Sequence, residues 1–374
     1  MQNLSESVAP PPLNIPASDQ VVNLRVIDTA ARVTGLPTAY FLDPRINGCD
    51  EFSGPSYSFL VEHEPSGTKV LFDLGISKSW ESGAPRMVGL IRKLGFKVLV
   101  DRNVSELLVE NGIPLESISS VIWSHWHWDH TGDPSLFPPT TSLTVGPGFK
   151  AAMLPGYPTN PDSPILESAY KDRDLVEISF DQTNLQIGGF RAFDYFGDGS
   201  FYLLDSPGHA VGHICGLART TPDTFVFLGG DICHHGGQLR PTPYLPLPKQ
   251  ISPNPFQIHR NTMPCPGALL LSIHPNHSAT EPFYRIPGPL GVGGNAINID
   301  PAEAQNSLKK LHALDGHENV LTIIAHDNSL LDVLDFFPKS LNDWKAKKFR
   351  EQGMWGFLSY FTDVVGSEGT PITN

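Results

Sequence analysis

The chain opens with a polar, proline-rich stretch and then alternates between apolar runs and loops. Residues 1–20 hold too few apolar positions to offset the entropy of ordering them, which predicts a disordered or loosely attached tail. From residue 21 onward the pattern is that of a folded domain. Short apolar runs typical of β-strands cover residues 21–27, 56–63, 69–75, 119–125, 143–146, 185–195, 200–206, 213–219, 224–231 and 320–327.

Helical patterns are fewer than strand patterns. Apolar residues recur at helical intervals over residues 104–112 and 302–314, and a polar helix is predicted over residues 340–352. Two groups of strands with helices between them indicate two stacked sheets covered by helices, although the pattern alone does not fix the topology. Residues 234–300 break all periodicity with prolines, glycines and aromatics, which predicts a functional insertion. We therefore expect one domain over residues 21–374 that carries this insertion.

Composition and charge narrow the possible partners. The 374 residues include 35 prolines and 34 glycines, and 17% of the residues are charged, which is typical of a globular, loop-rich protein. The 39 acidic and 26 basic residues give a formal net charge of -13, so nucleic acid and anionic membrane surfaces are unfavourable partners. The absence of a signal-peptide pattern and of a long apolar window predicts a cytoplasmic protein.

One run of ten residues carries most of the chemical information. Residues 124–133 read SHWHWDHTGD, and a chance match to His-x-His-x-Asp-His is on the order of one in a thousand. His125 and His127 are two apart at the end of an apolar strand, so their imidazoles leave the same face and can bind one ion. Asp129 and His130 come where the chain must turn, which directs them to a neighbouring position. A carboxylate and an imidazole there suit zinc, iron or manganese.

Three further apolar strands end in potential ligands. These runs cover residues 205–213, 227–235 and 323–327, and each carries histidine or aspartate after its apolar part. Polar residues at strand tips lie along one edge of a sheet, where several loops can converge on ions. The sequence therefore predicts that these runs and the histidine-rich run form one site.

This set of motifs resembles the metallo-β-lactamase superfamily over roughly residues 57–330. The resemblance implies the four-layered αββα sandwich of that superfamily, an α/β fold that agrees with the two predicted sheets. It also implies two divalent metal ions, with zinc favoured and iron or manganese as alternatives. The residues implied are His125, His127 and His209 for the first ion, Asp129, His130 and His326 for the second, Asp231 as the bridge, and Asp73 behind the ligands.

The motif details look closest to the lactonase-like branch and its fungal lactam- and lactone-opening relatives. Lactonases of this branch often carry a tyrosine three residues beyond the bridging aspartate, where this chain has His234. The histidine either replaces that tyrosine or has no catalytic role. The catalytic residues predicted on this basis are Asp129, Asp231 and His234.

The function implied is a metal-dependent hydrolase that opens a small lactone or lactam by attack of a metal-bridging hydroxide. Thioester hydrolysis is the close alternative, and an iron-dependent redox protein or a binding protein without turnover are rivals from other classes. Rigid aromatic side chains in the insertion favour a compact aromatic or bicyclic ring as the small-molecule substrate. The same side chains could instead form a homodimer contact.

Other aromatic side chains near the motifs have simpler expected roles. Trp126 and Trp128 alternate with the predicted ligands, so they should point away from the ions and pack the site from behind. His213 and His235 lie beside predicted ligands in sequence, where a histidine is more often a hydrogen-bond partner than a ligand. Neither is predicted to bind metal.

Overall fold

The computed structural model describes residues 4–181, 183–256, 263–288 and 297–366. The strands, in chain order, are β1 Asn23–Ile27, β2 Arg32–Pro37, β3 Glu51–Gly54, β4 Ser58–His63, β5 Thr68–Phe72, β6 Lys97–Leu99, β7 Ile118–Ile122, β8 Ser142–Val145, β9 Leu175–Glu177, β10 Gln186–Ile187, β11 Phe190–Asp194, β12 Phe201–Asp205, β13 Ile214–Thr221, β14 Thr224–Leu228, β15 Gln250–Ile251, β16 Cys265–Pro266 and β17 Val320–Ile323. The helices are α1 Thr38–Phe41, α2 Pro85–Leu94, α3 Val104–Glu110, α4 Trp128–Thr131, α5 Phe149–Met153, α6 Gly236–Leu239, α7 Gly267–Ile273, α8 Pro301–Asp315, α9 Phe349–Gly353 and α10 Thr362–Val365. Among these helices, none has the length and apolar character needed to span a membrane.

Two six-stranded sheets form the centre of the fold. The first has the strand order β1-β4-β5-β7-β8-β9, antiparallel at β1, β4 and β5 and parallel from β5 onward. The second has the order β10-β11-β12-β13-β14-β17 and is antiparallel except for the parallel pair of β14 with β17. Smaller sheets, β3-β2-β6 and β15-β16, lie outside this pair.

The core divides into layers because successive strand residues face opposite sides of a sheet. In the first sheet Phe72 faces the cluster between the sheets, whereas Leu71 faces an outer cluster that includes residues of α3. In the second sheet Leu203 faces inward, whereas Leu204 packs in an outer cluster with residues of α8. Burying each such side chain contributes roughly 1.5–3 kcal/mol. The predicted four-layered αββα architecture is confirmed.

Helix α8 shows why the sequence forms a helix at this point. The Asp300 side chain accepts a hydrogen bond from the Glu303 backbone N–H at 3.0 Å. Pro301 occupies the first turn, where a backbone N–H has no acceptor within the helix, so the N–H that proline lacks is not missed. Leu308 and Leu311 are fully buried against the second sheet. The predicted helix over residues 302–314 is therefore confirmed within one residue at each end.

The late polar helix predicted over residues 340–352 is wrong for most of its length. Only α9, Phe349–Gly353, is helical there, and the preceding residues form turns. The Asn342 side chain accepts from the Leu24 N–H at 2.9 Å and donates to the Val22 carbonyl at 2.7 Å. These bonds to β1 and the full burial of Trp344 stabilise the turns. They outweigh the helix propensity on which the prediction was based.

The N-terminal segment, residues 4–20, contacts the folded domain. The segment has no regular secondary structure, yet the Leu4 N–H donates to the Leu247 carbonyl at 2.9 Å and the Gly188 N–H donates to the Leu13 carbonyl at 2.8 Å. Leu13 is 7% exposed and packs in the outer cluster of the second sheet. One well-placed leucine and backbone bonds therefore anchor a segment whose average composition is polar.

The insertion over residues 234–300 contains α6, α7 and the β15-β16 pair, while residues 257–262 and 289–296 lie outside the described part of the chain. Its aromatic residues are largely core. Phe283 and Tyr284 are 1% and 2% exposed and pack in a cluster with side chains of the β2-β3 region and the C-terminal segment. These two side chains therefore belong to the hydrophobic core and not to an open surface.

Candidate metal centre

The predicted ligands lie in loops and short turns that follow strands of both sheets. The run after β7 supplies four of them, two before and two within the single turn of α4. The loops after β12, β14 and β17 supply one each. The seven residues that the fold brings together are His125, His127, Asp129, His130, His209, Asp231 and His326.

Their potential ligand atoms form two groups, and within each group these atoms lie within 4.8 Å of one another. In the first group, Nε2 of His209 lies 3.2 Å from Nε2 of His125 and 3.0 Å from Nδ1 of His127. In the second group, Nε2 of His326 lies 3.6 Å from Oδ2 of Asp129. The membership of the two groups follows the division that the sequence predicts.

Asp231 lies between the two groups and presents one carboxylate oxygen to each. Its Oδ1 is 3.1 Å from Nε2 of His130 and 3.0 Å from Nε2 of His326. Its Oδ2 is 3.4 Å from Nε2 of His209 and 3.7 Å from Nε2 of His125. A carboxylate with this environment can bind two cations at once.

Asp73 orients His130 from behind. Its Oδ2 accepts a hydrogen bond from Nδ1 of His130 at 2.9 Å, and its two oxygens also accept from the backbone N–H and the hydroxyl of Ser124 at 2.6 and 2.7 Å. Because Nδ1 carries the proton, the lone pair of His130 is on Nε2, which faces Asp231. The predicted position of Asp73 behind the ligands agrees with this geometry.

Two further ligand candidates are held in the same way. Nδ1 of His209 donates to Oδ1 of Asn298 at 2.9 Å, and Nδ1 of His326 donates to the Pro55 carbonyl at 2.7 Å. Each bond leaves an Nε2 lone pair directed at the centre. Sequence reasoning missed Asn298, because a lone asparagine within the insertion carries no recognisable signal.

The donor set fits divalent cations. Three buried side-chain atoms at the centre have no hydrogen-bond partner within the described chain, namely Nε2 of His130, Oδ1 of Asp231 and Nε2 of His234. Orphaned lone pairs at such depth are costly unless a cation satisfies them. Two nitrogens bound tetrahedrally to one zinc ion lie roughly 3.3 Å apart. The nitrogen spacings of the first group match that value.

The electrostatics of the centre keep three of the candidate ligands, His125, His127 and Asp231, in their metal-binding forms. Burial and neighbouring imidazoles lower the pKa of His125 and of His127 well below the usual value, so both rings are neutral. Burial alone would raise the pKa of Asp231, but the imidazoles of His130 and His326 outweigh it and hold that pKa well below its usual range. The carboxylate therefore stays ionised at neutral pH.

The histidines beside the ligands take different positions. His213 lies behind the centre, where its Nε2 accepts the Asp231 backbone N–H at 3.1 Å and its Nδ1 donates to the Ser206 carbonyl at 2.9 Å. Both ring nitrogens are occupied, so His213 positions Asp231 and has no lone pair for a metal. Nε2 of His234, in contrast, lies 3.3 Å from Oδ2 of Asp231.

The two tryptophans of the run differ in their surroundings. Trp126 packs in the outer cluster of the first sheet, as the packing hypothesis expects. Trp128 packs with Trp80, with ring centroids 6.1 Å apart, and also lines a cavity of about 130 Å³ together with Met87. Part of its surface is therefore open, which the alternation of the run did not predict.

Comparison with known proteins identifies the family. The family model described as Metallo-beta-lactamase superfamily matches residues 53–317 of this chain. Gamma-lactamase FDB1 of Fusarium pseudograminearum and metallo-hydrolase mfmC of Annulohypoxylon moriforme are each 42% identical to this chain over 362 residues. Both alignments cover 95% of this chain, with 86% of the first relative and 92% of the second.

A solved structure shares the fold. The crystal structure of a mutant of AiiA from B. thuringiensis with N-decanoyl-L-homoserine bound at the active site superposes with a TM-score of 0.55. It is 17% identical in sequence, and the superposition covers 86% of this chain and 99% of that one. This structure shows the fold alone, whereas the gamma-lactamase and the metallo-hydrolase relatives agree with the predicted class of metal-dependent hydrolase. The chain therefore belongs to the metallo-β-lactamase superfamily.

Proposed function

We propose that the protein is a dinuclear metal-dependent hydrolase that opens a small lactone or lactam ring. The observation that carries this proposal is the position of Asp231, whose Oδ1 is within 3.1 Å of two imidazoles of one group and whose Oδ2 faces the imidazoles of the other. Such a carboxylate suits two cations held a short distance apart. The named activity of the gamma-lactamase relative supports the same class of reaction.

The groups would hold the two ions separately. His125, His127 and His209 would bind the first, and His130, His326 and Asp129 would bind the second, with Asp231 shared. Two bound divalent cations, most favourably zinc, would lower the pKa of water towards neutrality and polarise the ring carbonyl. The neutral imidazoles of His125 and His127 and the ionised carboxylate of Asp231 are the forms that such binding requires.

A side chain of the centre would then transfer the proton between the attacking water and the leaving group. Asp231 is ionised and close to both groups, so it can accept the proton from the attacking water and return it to the leaving oxygen or nitrogen. His234 would contact the ring carbonyl in place of the tyrosine found in related lactonases. Support for this role comes from its unpartnered Nε2, 3.3 Å from Asp231 and buried at the centre.

A screen of the purified protein tests the proposal. Lactones, lactams, cyclic carbamates and thioesters are offered to metal-loaded protein, with elemental analysis and a visible spectrum recorded on the same sample. We expect ring opening by a colourless protein that holds two divalent ions per chain. The His125→Ala variant is the control, and it should lose both turnover and metal. Thioester turnover alone, or a coloured iron protein without hydrolysis, would contradict the proposal.

A further inference from the structure

A side pocket lies next to the metal centre and shares one wall with it. The pocket has a volume of about 390 Å³ and is lined by Phe52 of β3, by His235, and by Phe357 and Tyr360 of the C-terminal segment. His326, whose Nε2 faces Asp231, is part of its lining. This volume is at the lower end of the range for small-molecule sites, so the pocket can hold a compact ring.

Within this pocket the protonation of His235 is fixed by the backbone. Nδ1 of His235 accepts a hydrogen bond from the Gly237 N–H at 3.0 Å, so Nδ1 cannot carry a proton. The neutral ring therefore carries its proton on Nε2, which makes Nε2 a hydrogen-bond donor. No described residue accepts a hydrogen bond from this atom.

The ring of His235 is also held in place by its aromatic neighbours. Its centroid lies 4.7 Å from the ring of Tyr360 and 5.8 Å from that of Phe357. The hydroxyl of Tyr360 is itself within 2.7 Å of Oγ1 of Thr38, which fixes the ring that packs on His235. A donor with so little freedom loses little entropy when it meets a ligand.

We propose that His235 is a specificity-determining residue that donates a hydrogen bond from Nε2 to an acceptor on the substrate's ring system. The proposal rests on the proposed function. The flat walls of Phe52, Phe357 and Tyr360 suit an aromatic ring fused to the ring that is opened, and the acceptor is a second oxygen on that aromatic part. Because His326 belongs both to the pocket lining and to the second metal group, a substrate whose aromatic part occupies the pocket would extend past His326 towards the metal centre.

A pair of variants separates donation from packing. His235→Phe keeps an aromatic ring and removes the donor, whereas His235→Gln can still accept from the Gly237 N–H and donate an amide proton to a ligand. His317→Phe is the matched control, because His317 lies after α8 and its Nε2 contacts the Pro11 carbonyl of the N-terminal segment. Metal content and thermal midpoint are measured for every variant.

The probes are 2-coumaranone, a benzo-fused γ-lactone, and its derivatives with one methoxy group on the aromatic ring. We expect at least one methoxy isomer to have a KM about 2- to 10-fold lower than the parent with wild-type protein, the value of one hydrogen bond. His235→Phe should remove that advantage with kcat nearly unchanged, and His235→Gln should restore it. His317→Phe should behave as wild type.

Two results would overturn the role of His235. One is an unchanged methoxy advantage in His235→Phe. The other is an equal loss on all probes together with lower metal content or thermal midpoint, which would show a structural role. If wild-type protein hydrolyses none of these lactones, the broader substrate screen alone decides the proposed function. Calorimetric binding of the same probes to metal-loaded protein then decides: a methoxy preference that disappears in His235→Phe supports the pocket, and equal binding by both proteins refutes it.

Discussion

Oδ1 of Asn298 lies 2.9 Å from Nδ1 of His209, and both side chains are almost fully buried. The bond joins the end of the insertion to a candidate metal ligand. Backbone bonds reinforce it, since the N–H of Ile299 donates to the His209 carbonyl at 3.2 Å. The insertion therefore contributes directly to the geometry of the metal centre.

Replacing Asn298 by alanine should weaken metal binding without unfolding the protein. The Nδ1–H of His209 would lose its acceptor, so the ring could rotate or change tautomer. Loss of such an outer partner typically lowers metal affinity 10- to 100-fold. Competition with a chromogenic chelator measures the affinity. Asn306→Ala, on the surface of α8, is the control, and equal affinity in both variants would contradict the prediction.

Replacing Asp231 by asparagine should keep the fold and remove most of the turnover. An amide bridges two cations poorly and cannot accept a proton from water. We expect kcat to fall by at least about 100-fold, in the range seen for loss of a general acid–base group. Steady-state kinetics and elemental analysis on the same preparation test this. A variant with a near wild-type rate would show that Asp231 is not the shared ligand.

Asp315→Asn should destabilise the protein through a buried ion pair. The Arg240 guanidinium donates to both oxygens of Asp315 at 2.7 and 2.6 Å, and both side chains are buried. Removing one partner leaves an uncompensated buried charge, which costs about 3–5 kcal/mol in the free energy of unfolding. Urea denaturation at neutral pH measures the loss.

The same pair predicts a pH dependence. Burial would raise the pKa of Asp315, but Arg240 outweighs it and lowers that pKa below its ordinary value of 3.8. A carboxyl group with a depressed folded-state pKa stabilises the protein above the unfolded-state pKa, and this contribution is lost as pH falls through the folded-state value. The difference between wild type and Asp315→Asn should therefore shrink below about pH 4. A difference that stays constant in acid would refute the ionic origin.

Leu13→Ala tests the anchoring of the N-terminal segment. Leu13 is 7% exposed in the outer cluster of the second sheet, and its replacement leaves a cavity there. Leucine-to-alanine changes in well-packed sites cost about 2–5 kcal/mol, and we expect the lower end of that range at this edge position. Leu136, 42% exposed, supplies the control Leu136→Ala. Equal stability of the two variants would mean that the segment is loosely attached after all.

The sequence predicted the candidate site best where closely spaced histidines and aspartates indicate metal binding. The histidine-rich run predicted two positions for ions, because His125 and His127 leave the same face at a strand end and Asp129 follows where the chain turns. The partners of those ligands were not predictable. Asn298 and Pro55 approach the centre from distant segments, and nothing in their local sequence marks them. Tertiary contacts likewise decided the turns around Asn342, against the local helix propensity.

The metal centre joins the two halves of the sandwich. His125 and His130 follow a strand of the first sheet, whereas Asp231 and His326 follow strands of the second. Ions bound between these residues would hold the two sheets together, and the binding energy of the ions would add to the free energy of unfolding. Metal scarcity would then have two effects in a cell. It would stop turnover, and it would also shorten the lifetime of the protein by enlarging the fraction that opens to proteases.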